Sequence, residues 1–157
     1  MFMNSADEKP GRDVAETRVG LTPALETGLA KLVEYARDAA SHSYSPYSMF
    51  RVGAALRLTS GEIVTGTNVE SASYGLTICA ERAALVRAIS EFGPEIRIEA
   101  VAVANLNDKA SPPCGACRQM LAEFAQPDAP VVFPESGSVR VIPLRELLPL
   151  AFDLKAK

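Results

Sequence analysis

Three cysteines and a glutamate are the residues of this sequence whose types and spacing could do chemistry. Cys114-Gly115-Ala116-Cys117 is a CxxC that directly follows Pro112-Pro113, and the third cysteine stands in Thr77-Ile78-Cys79-Ala80-Glu81. Both groups fall where a helix is expected to start. In a helix interior, residues two apart point to nearly opposite sides, so Cys79 and Glu81 could not serve one site there. At a helix N-terminus the constraint relaxes, because a ligand can lie near the end of the axis. The free backbone N–H groups and the dipole at that end also favour thiolate over thiol. Two helix starts carrying three cysteines can therefore converge on one cation. Three thiolates leave the fourth position of a tetrahedral zinc open, which is the arrangement of a catalytic rather than a structural site. Water then takes that position, zinc lowers its pKa, and a neighbouring carboxylate carries protons. Glu81 is placed for that role.

Blander readings compete. A CxxC alone can be a redox pair, a cysteine is often an inert small hydrophobe, and a glutamate two residues after a cysteine is unremarkable. His42 could in principle add a fourth ligand, but it lies in His42-Ser43-Tyr44-Ser45-Pro46 with no metal spacing. It reads as a surface histidine in the last turn of a helix, where positive charge suits the C-terminal end.

The remaining composition excludes several classes. The chain has 157 residues, 48% of them apolar and 22% charged, with a formal net charge of -3. That fits one soluble globular domain, long enough to bury roughly 70% of the surface its unfolded chain exposes. The mild acidity argues against a large basic footprint for nucleic acid. No apolar run approaches the roughly 18 residues of a membrane span, and the N-terminus lacks the apolar stretch of a secretory signal. Three cysteines, an odd number, exclude a complete disulfide framework. One histidine excludes any metal site that needs two. Residues 1–20 mix both charge signs with few large apolar groups, and read as a disordered extension before a single domain over 21–157.

The elements that must position the cysteines follow from periodicity. Thr22-Pro23 is a cap residue followed by proline at the first helical position. Leu25, Leu29, Leu32, Val33 and Ala36 then recur at helical spacing, which predicts an amphipathic helix over 23–41. Residues 50–58 and 62–68 read as strands of a hairpin turning at Ser60-Gly61. Helix over 79–91, strand over 97–104, helix over 115–125, strands over 130–133 and 138–142, and a short helix from Leu144 to Leu148 complete the chain. Helices between the central strands point to the α/β class, a layered sheet with helices packed on it.

Taken together, Cys79-Ala80-Glu81, a gap of about thirty residues, and Pro113-Cys114-Gly115-Ala116-Cys117 match the zinc-deaminase signature, with cysteine in place of its histidine. Over about residues 25–152 the chain resembles the small, homotetrameric, three-cysteine cytidine deaminases. Tyr44-Ser45-Pro46-Tyr47-Ser48, Phe50-Arg51-Val52-Gly53-Ala54-Ala55-Leu56, Gly66-Thr67-Asn68-Val69-Glu70, Cys79-Ala80-Glu81-Arg82, Pro113 to Gln119 and Glu146-Leu147-Leu148-Pro149 carry the resemblance. It implies a cytidine-deaminase-like three-layer α/β/α fold with a mixed central sheet. The implied activity is zinc-dependent hydrolytic deamination of cytidine and 2′-deoxycytidine to uridine and 2′-deoxyuridine plus ammonia, a step of pyrimidine salvage.

Residue by residue, the resemblance implies one Zn2+ per subunit on Cys79, Cys114 and Cys117. Glu81 is the proton shuttle, protonating ring N3 as water attacks C4 and relaying a proton to the departing amine. Asn68 and Glu70 match the pair that bonds the ribose 3′-hydroxyl, and their i, i+2 spacing at a strand end puts both on one face. Phe50 matches a phenylalanine packing on the pyrimidine ring, and the Ala80 N–H is directed to the base O2. Ala72, Tyr74 and Phe152 match positions that reach into a neighbouring subunit's pocket in a homotetramer. No organic cofactor, nucleic-acid partner or membrane is implied. A cytoplasmic setting follows, because the ligands must stay thiolates.

Arg82 has a physical rationale beside the resemblance. Three thiolates and Zn2+ sum to about -1, which would make the metal a poor Lewis acid. An arginine donating to the thiolates withdraws charge and restores the acidity of bound water. Competing readings are a relative acting on another aminopyrimidine such as blasticidin S, a nucleic-acid editing deaminase, and a non-enzymatic zinc module. The first family lacks the arginine after Cys-Ala-Glu and the segment that stands here as Asn68 to Tyr74. The second is disfavoured by acidity and the complete ribose-binding pair. The third predicts a closed metal site.

Overall fold

Thr22-Pro23 does open a helix: α1 runs Pro23–Ala40. The structure is a computed structural model that describes residues 22–135 and 138–152. The expected extension over 1–20 therefore lies outside the described residues, as does the side chain of Leu25. After α1 come β1 (Val52–Leu58), β2 (Ile63–Thr67), a 3-10 turn at Tyr74–Leu76, α2 (Ala80–Phe92), β3 (Ile98–Asn105) and α3 (Gly115–Ala122). β4 (Pro130–Glu135), β5 (Ser138–Pro143) and the short α4 (Leu144–Leu147) follow.

The five strands form one mixed sheet in the order β2-β1-β3-β4-β5. All neighbours are antiparallel except β3 and β4, which are parallel. Because β2 and β3 both run antiparallel to β1, they share one direction, and β4 shares it too. Chains that return to a parallel strand must cross over, and α2 and α3 are the two crossovers. Both travel the same way across the sheet. A common right-handed crossover therefore lays both helices on one face, with both N-termini at the carboxyl edge of the strands. Topology alone thus brings the start of α2 and the start of α3 to the same place.

The side chains keep to this layering with the period of two that a strand imposes. Ala54, Leu56 and Leu58 of β1, Val101 and Val103 of β3, and Val131 and Phe133 of β4 pack with Ala84, Leu85, Ala88 and Leu121 of the two crossover helices. The alternate residues Ala55, Ala100, Ala102, Ala104 and Val132 pack with Leu29, Leu32 and Ala36 of α1 on the other face. Burying a leucine such as Leu32 or Leu85 stabilises the fold by about 1.5–3 kcal/mol. The α1 face is built of small residues, and α1 lies close. A Cβ on Gly53 would fall 2.0 Å from the Ala36 carbonyl oxygen. The three-layer α/β/α arrangement with a mixed sheet is the one expected.

The differences lie at element ends. The first strand was expected from residue 50 and begins at Val52. The helix expected over 115–125 stops at Ala122, because Phe124 turns out to accept from the Ile98 N–H at 2.9 Å, a pairing with the start of β3. The turn at Tyr74–Leu76 had no periodic signal.

Candidate active site

Cys79 is the N-cap of α2 and Cys114 the N-cap of α3, both in extended backbone, and neither side chain caps its helix. Serine or aspartate at these positions would turn back to the free N–H groups. Here the thiols turn to each other instead. Cys79 Sγ lies 3.9 Å from Cys114 Sγ, and Cys114 Sγ lies 3.4 Å from Cys117 Sγ in the first turn of α3. All three sulfurs fall within 4.8 Å of one another, and among the described residues they are the only metal-ligating group of three or more His, Cys, Asp or Glu side chains. These separations are too long for a disulfide. They match the edge of a tetrahedron with zinc–sulfur bonds of about 2.3 Å, which is roughly 3.8 Å. The donor set therefore fits zinc with one position left open. His42 stands exposed beyond α1, outside this group.

The three thiols are unequal. Cys79 is pulled down to about 5, chiefly by a hydrogen bond from Cys117, with Arg82 and Cys114 adding to it against a cost of burial. Cys117 is pushed up, chiefly because its proton is held on the Cys79 sulfur, and by its burial. Arg82 donates from Nη2 to the Thr77 carbonyl at 3.0 Å and to Cys79 Sγ at 3.7 Å. Its Nε is buried without a hydrogen-bond partner. A guanidinium so placed sits against the Cys79 sulfur.

Glu81, in the first turn of α2, is 5% exposed. Burial pushes its carboxyl up, the Cys79 charge adds to this, and a hydrogen bond from Cys117 opposes it. The carboxylate is thus at the sulfur cluster and can change protonation there. The N-cap geometry resolves the helical-spacing problem: Cys79 lies before the helix and Glu81 in its first turn, so both face one site. Ala80, fully buried between them, is the first residue of α2, where N–H groups have no partner within the helix.

The segment from residue 68 to 70 is laid alongside these groups. Val69 pairs with Ile78, the neighbour of Cys79, by bonds of 3.0 and 2.9 Å, and it also bridges to Tyr44. β2 leads into it pressed on α2, since a Cβ on Gly66 would fall 2.3 Å from the Ala84 nitrogen and 2.6 Å from the Ala80 oxygen. Asn68 is buried; its Oδ1 accepts from Val52 N–H at 2.8 Å and Ser43 Oγ at 2.6 Å, and its Nδ2 donates to the Phe50 carbonyl at 2.9 Å. One Nδ2 hydrogen remains. Glu70 Oε2 accepts from the N–H groups of Tyr47 and Ser48 at 2.9 and 3.2 Å, and Oε1 accepts from the Ser48 hydroxyl. The Ser48 bond holds the Glu70 carboxyl below its ordinary 4.5, so this clasp stays charged at neutral pH. Half-buried Phe50 thus joins Asn68, Glu70, Ala80, Glu81 and the cysteines at one end of the sheet.

Three of the sequence-derived residues stand apart. Ala72 is exposed, Tyr74 is 79% exposed with its ring edge-on to Tyr47 at 6.4 Å, and Phe152 is 69% exposed. The Phe152 backbone is held beside α3 by the Gln119 side chain at 2.7 and 3.3 Å. Sequence reasoning missed Ser43, Ser48 and Asn107, whose partners lie far along the chain, and Thr77 and Asn105, whose partners lie within six residues in irregular loops. The one available signal was Asn105-Leu106-Asn107 directly after an apolar strand.

Comparison with known proteins gives a consistent picture. The family described as the cytidine and deoxycytidylate deaminase zinc-binding region matches residues 27–133. A cytidine deaminase of Halalkalibacterium halodurans is 45% identical over 122 residues, covering 77% of this chain and 91% of the relative. A crystal structure of cytidine deaminase from Burkholderia pseudomallei superposes with TM-score 0.71 at 43% identity, covering 78% of this chain and 98% of that one. The cytidine deaminase structure from Mycobacterium tuberculosis also superposes with TM-score 0.71, at 40% identity over 80% of this chain and 98% of its own.

Proposed function

The chain belongs to the cytidine and deoxycytidylate deaminase family, and on that premise we propose that it hydrolyses cytidine and 2′-deoxycytidine to uridine and 2′-deoxyuridine plus ammonia, in pyrimidine salvage. One observation carries this reading: three thiols converge from two helix N-termini with the buried Glu81 carboxyl against them. Cys79, Cys114 and Cys117 would hold one zinc per subunit, which would supply a Lewis acid able to acidify water. Among the described residues no fourth His, Cys, Asp or Glu joins the group, which favours an enzyme over a structural zinc module.

The chain's own residues do the rest. Glu81 takes the proton of the attacking water and delivers it to ring N3, then takes the proton of the new C4 hydroxyl and passes it to the amine, so that C4 closes to a carbonyl as ammonia leaves. Burial, which raises its pKa, helps it hold the proton it carries between these steps. Phe50 packs on the pyrimidine ring and the Ala80 N–H donates to the base O2. Asn68 has one N–H to give and Glu70 one lone-pair direction still unfilled, of the roughly four a carboxylate offers. Together they suit one ribose hydroxyl, which both accepts and donates. The 2′-position is not addressed by either residue, which supports acceptance of both ribo- and deoxyribonucleosides.

The neighbouring-subunit role of Ala72, Tyr74 and Phe152 in a homotetramer belongs to the same reading, supported by the exposure of the two aromatic rings. A cytoplasmic setting suits thiolate ligands, and no described helix is long and apolar enough to cross a membrane. The test is Glu81→Gln. It should keep its zinc and lose activity by on the order of 10²–10⁴-fold. Full activity in that variant sinks the assignment.

A further inference from the structure

Two asparagine side chains take over the hydrogen bonding of β1 where its neighbours run out. β2 ends at Thr67 and β3 at Asn105, one on each side of β1, so residues 49–51 pass beyond both, with one last backbone bond from the Leu106 N–H to the Arg51 carbonyl at 3.1 Å. On the β2 side, Asn68 accepts from the Val52 N–H and donates to the Phe50 carbonyl. On the β3 side, Asn107 Oδ1 accepts from the Arg51 N–H at 3.0 Å and its Nδ2 donates to the Met49 carbonyl at 3.0 Å. Each amide offers the acceptor and donor that a strand residue would present. The alternation of a strand sends 50 and 52 to one side and 49 and 51 to the other. The peptides before and after Phe50 are therefore both pinned, and the Phe50 N–H is taken by Ser48 Oγ at 3.0 Å. Met49 is in the left-handed region at φ 57, uncommon for a side chain of this kind, and the bond to its carbonyl holds it there.

Asn107 is in turn anchored. Asn105, 2% exposed, accepts on Oδ1 from the N–H groups of Asn107 and Lys109 at 2.9 and 3.2 Å, and donates from Nδ2 to the Lys109 carbonyl and Ser111 Oγ at 2.7 and 2.9 Å. The loop so folded leads directly to Pro113 and Cys114. The segment that presents Phe50 and the segment that delivers a metal ligand are one hydrogen-bonded unit.

We propose that Asn107 is a positioning residue for the nucleobase: by fixing the Met49 and Arg51 peptides it holds Phe50 in place for the pyrimidine ring, with Asn105 as its anchor. The inference rests on the reading of Phe50 above. Its test is a double-mutant cycle on the zinc-loaded enzyme with Asn107→Ala and Phe50→Ala. Asn107→Ala should raise KM for cytidine by roughly 5- to 30-fold, the scale of one or two lost hydrogen bonds, with kcat within about two-fold. Zinc content should stay unchanged, and the Arg51 amide should exchange with solvent faster. Asn107→Asp, which keeps the acceptor for Arg51 and loses the donor to Met49, should recover part of KM. In the Phe50→Ala background Asn107→Ala should add less than about two-fold. An unchanged KM, a full multiplicative effect in the double variant, or lost zinc with a fallen kcat overturns the proposal while leaving the Phe50 reading intact. A Phe50→Ala enzyme with unaltered KM removes that reading and the proposal with it. Unchanged Arg51 exchange in Asn107→Ala overturns the clasp without reference to any substrate.

Discussion

On the proposed reading, Arg82 tunes the centre without touching substrate. Its guanidinium bridges the Thr77 carbonyl and the Cys79 sulfur through one nitrogen, Nη2, carried at the end of a planar, delocalised group that a lysine ammonium does not reproduce. Arg82→Lys keeps the charge and loses the reach and planar placement of that donor. It should therefore release zinc to a chelator faster and lose activity, each by on the order of 10- to 100-fold, the usual scale for groups behind metal ligands. Zinc retention and kcat both equal to wild type would remove the role. At this scale the sequence was most legible where chemistry is local. Cys79, Glu81, Cys114 and Cys117 announce themselves by type, spacing and position at helix starts. Asn105 and Asn107 do not: the sheet brings Met49 and Arg51 to Asn107, Asn105 bonds within its own irregular loop to Lys109 and Ser111, and no local pattern distinguishes an asparagine that ends a loop from one that mimics a strand.

At the scale of elements, the site exists because two crossover helices begin at the same edge of one sheet and because β2 lets α2 lie close. Gly66 is the contact. Gly66→Ala places a methyl group against the Ala84 and Ala80 backbone, which must move apart and carry Cys79 with them. The variant should lose roughly 1–3 kcal/mol in thermal or denaturant unfolding and also hold zinc less well. Gly75→Ala meets nothing within 4 Å and should stay within about 0.5 kcal/mol of wild type. Equal stability of the two would contradict the close-packing account. Element types were legible because the apolar patterns are clean: a short continuous run in β3, whose Val101 and Val103 face one helix layer and Ala100 and Ala102 the other, and a helical period in α1. Their ends were less so. Residues 50 and 51 look like strand, but apart from the Leu106 N–H on the Arg51 carbonyl their backbone is bonded by side chains, and α3 gives up its last turn to backbone pairing with Ile98.

For the whole molecule, metal and fold are coupled. The three ligands come from two segments on either side of β3, so a zinc bound to all three ties those segments together in the native state only. Stripping the metal should lower the midpoint of thermal unfolding, and restoring free zinc at 100 times its Kd should return about 2.7 kcal/mol. A midpoint indifferent to chelation would show the cysteines to be bystanders. The exposed rings of Tyr74 and Phe152 raise the matching question of assembly. If neighbours complete the pocket, specific activity should fall on dilution in step with the loss of the tetramer in sedimentation. A monomer of full activity would contradict that reading.

The central claim is that the three thiolates leave one zinc position open for hydrolysis steered by Glu81. It is tested most directly by measuring zinc content and cytidine-dependent ammonia release on the same sample. The account predicts about one zinc per chain and one ammonia for each uridine formed, both lost on chelation and both restored by zinc alone. A zinc-loaded chain that releases no ammonia, or a metal-free chain that does, would contradict it.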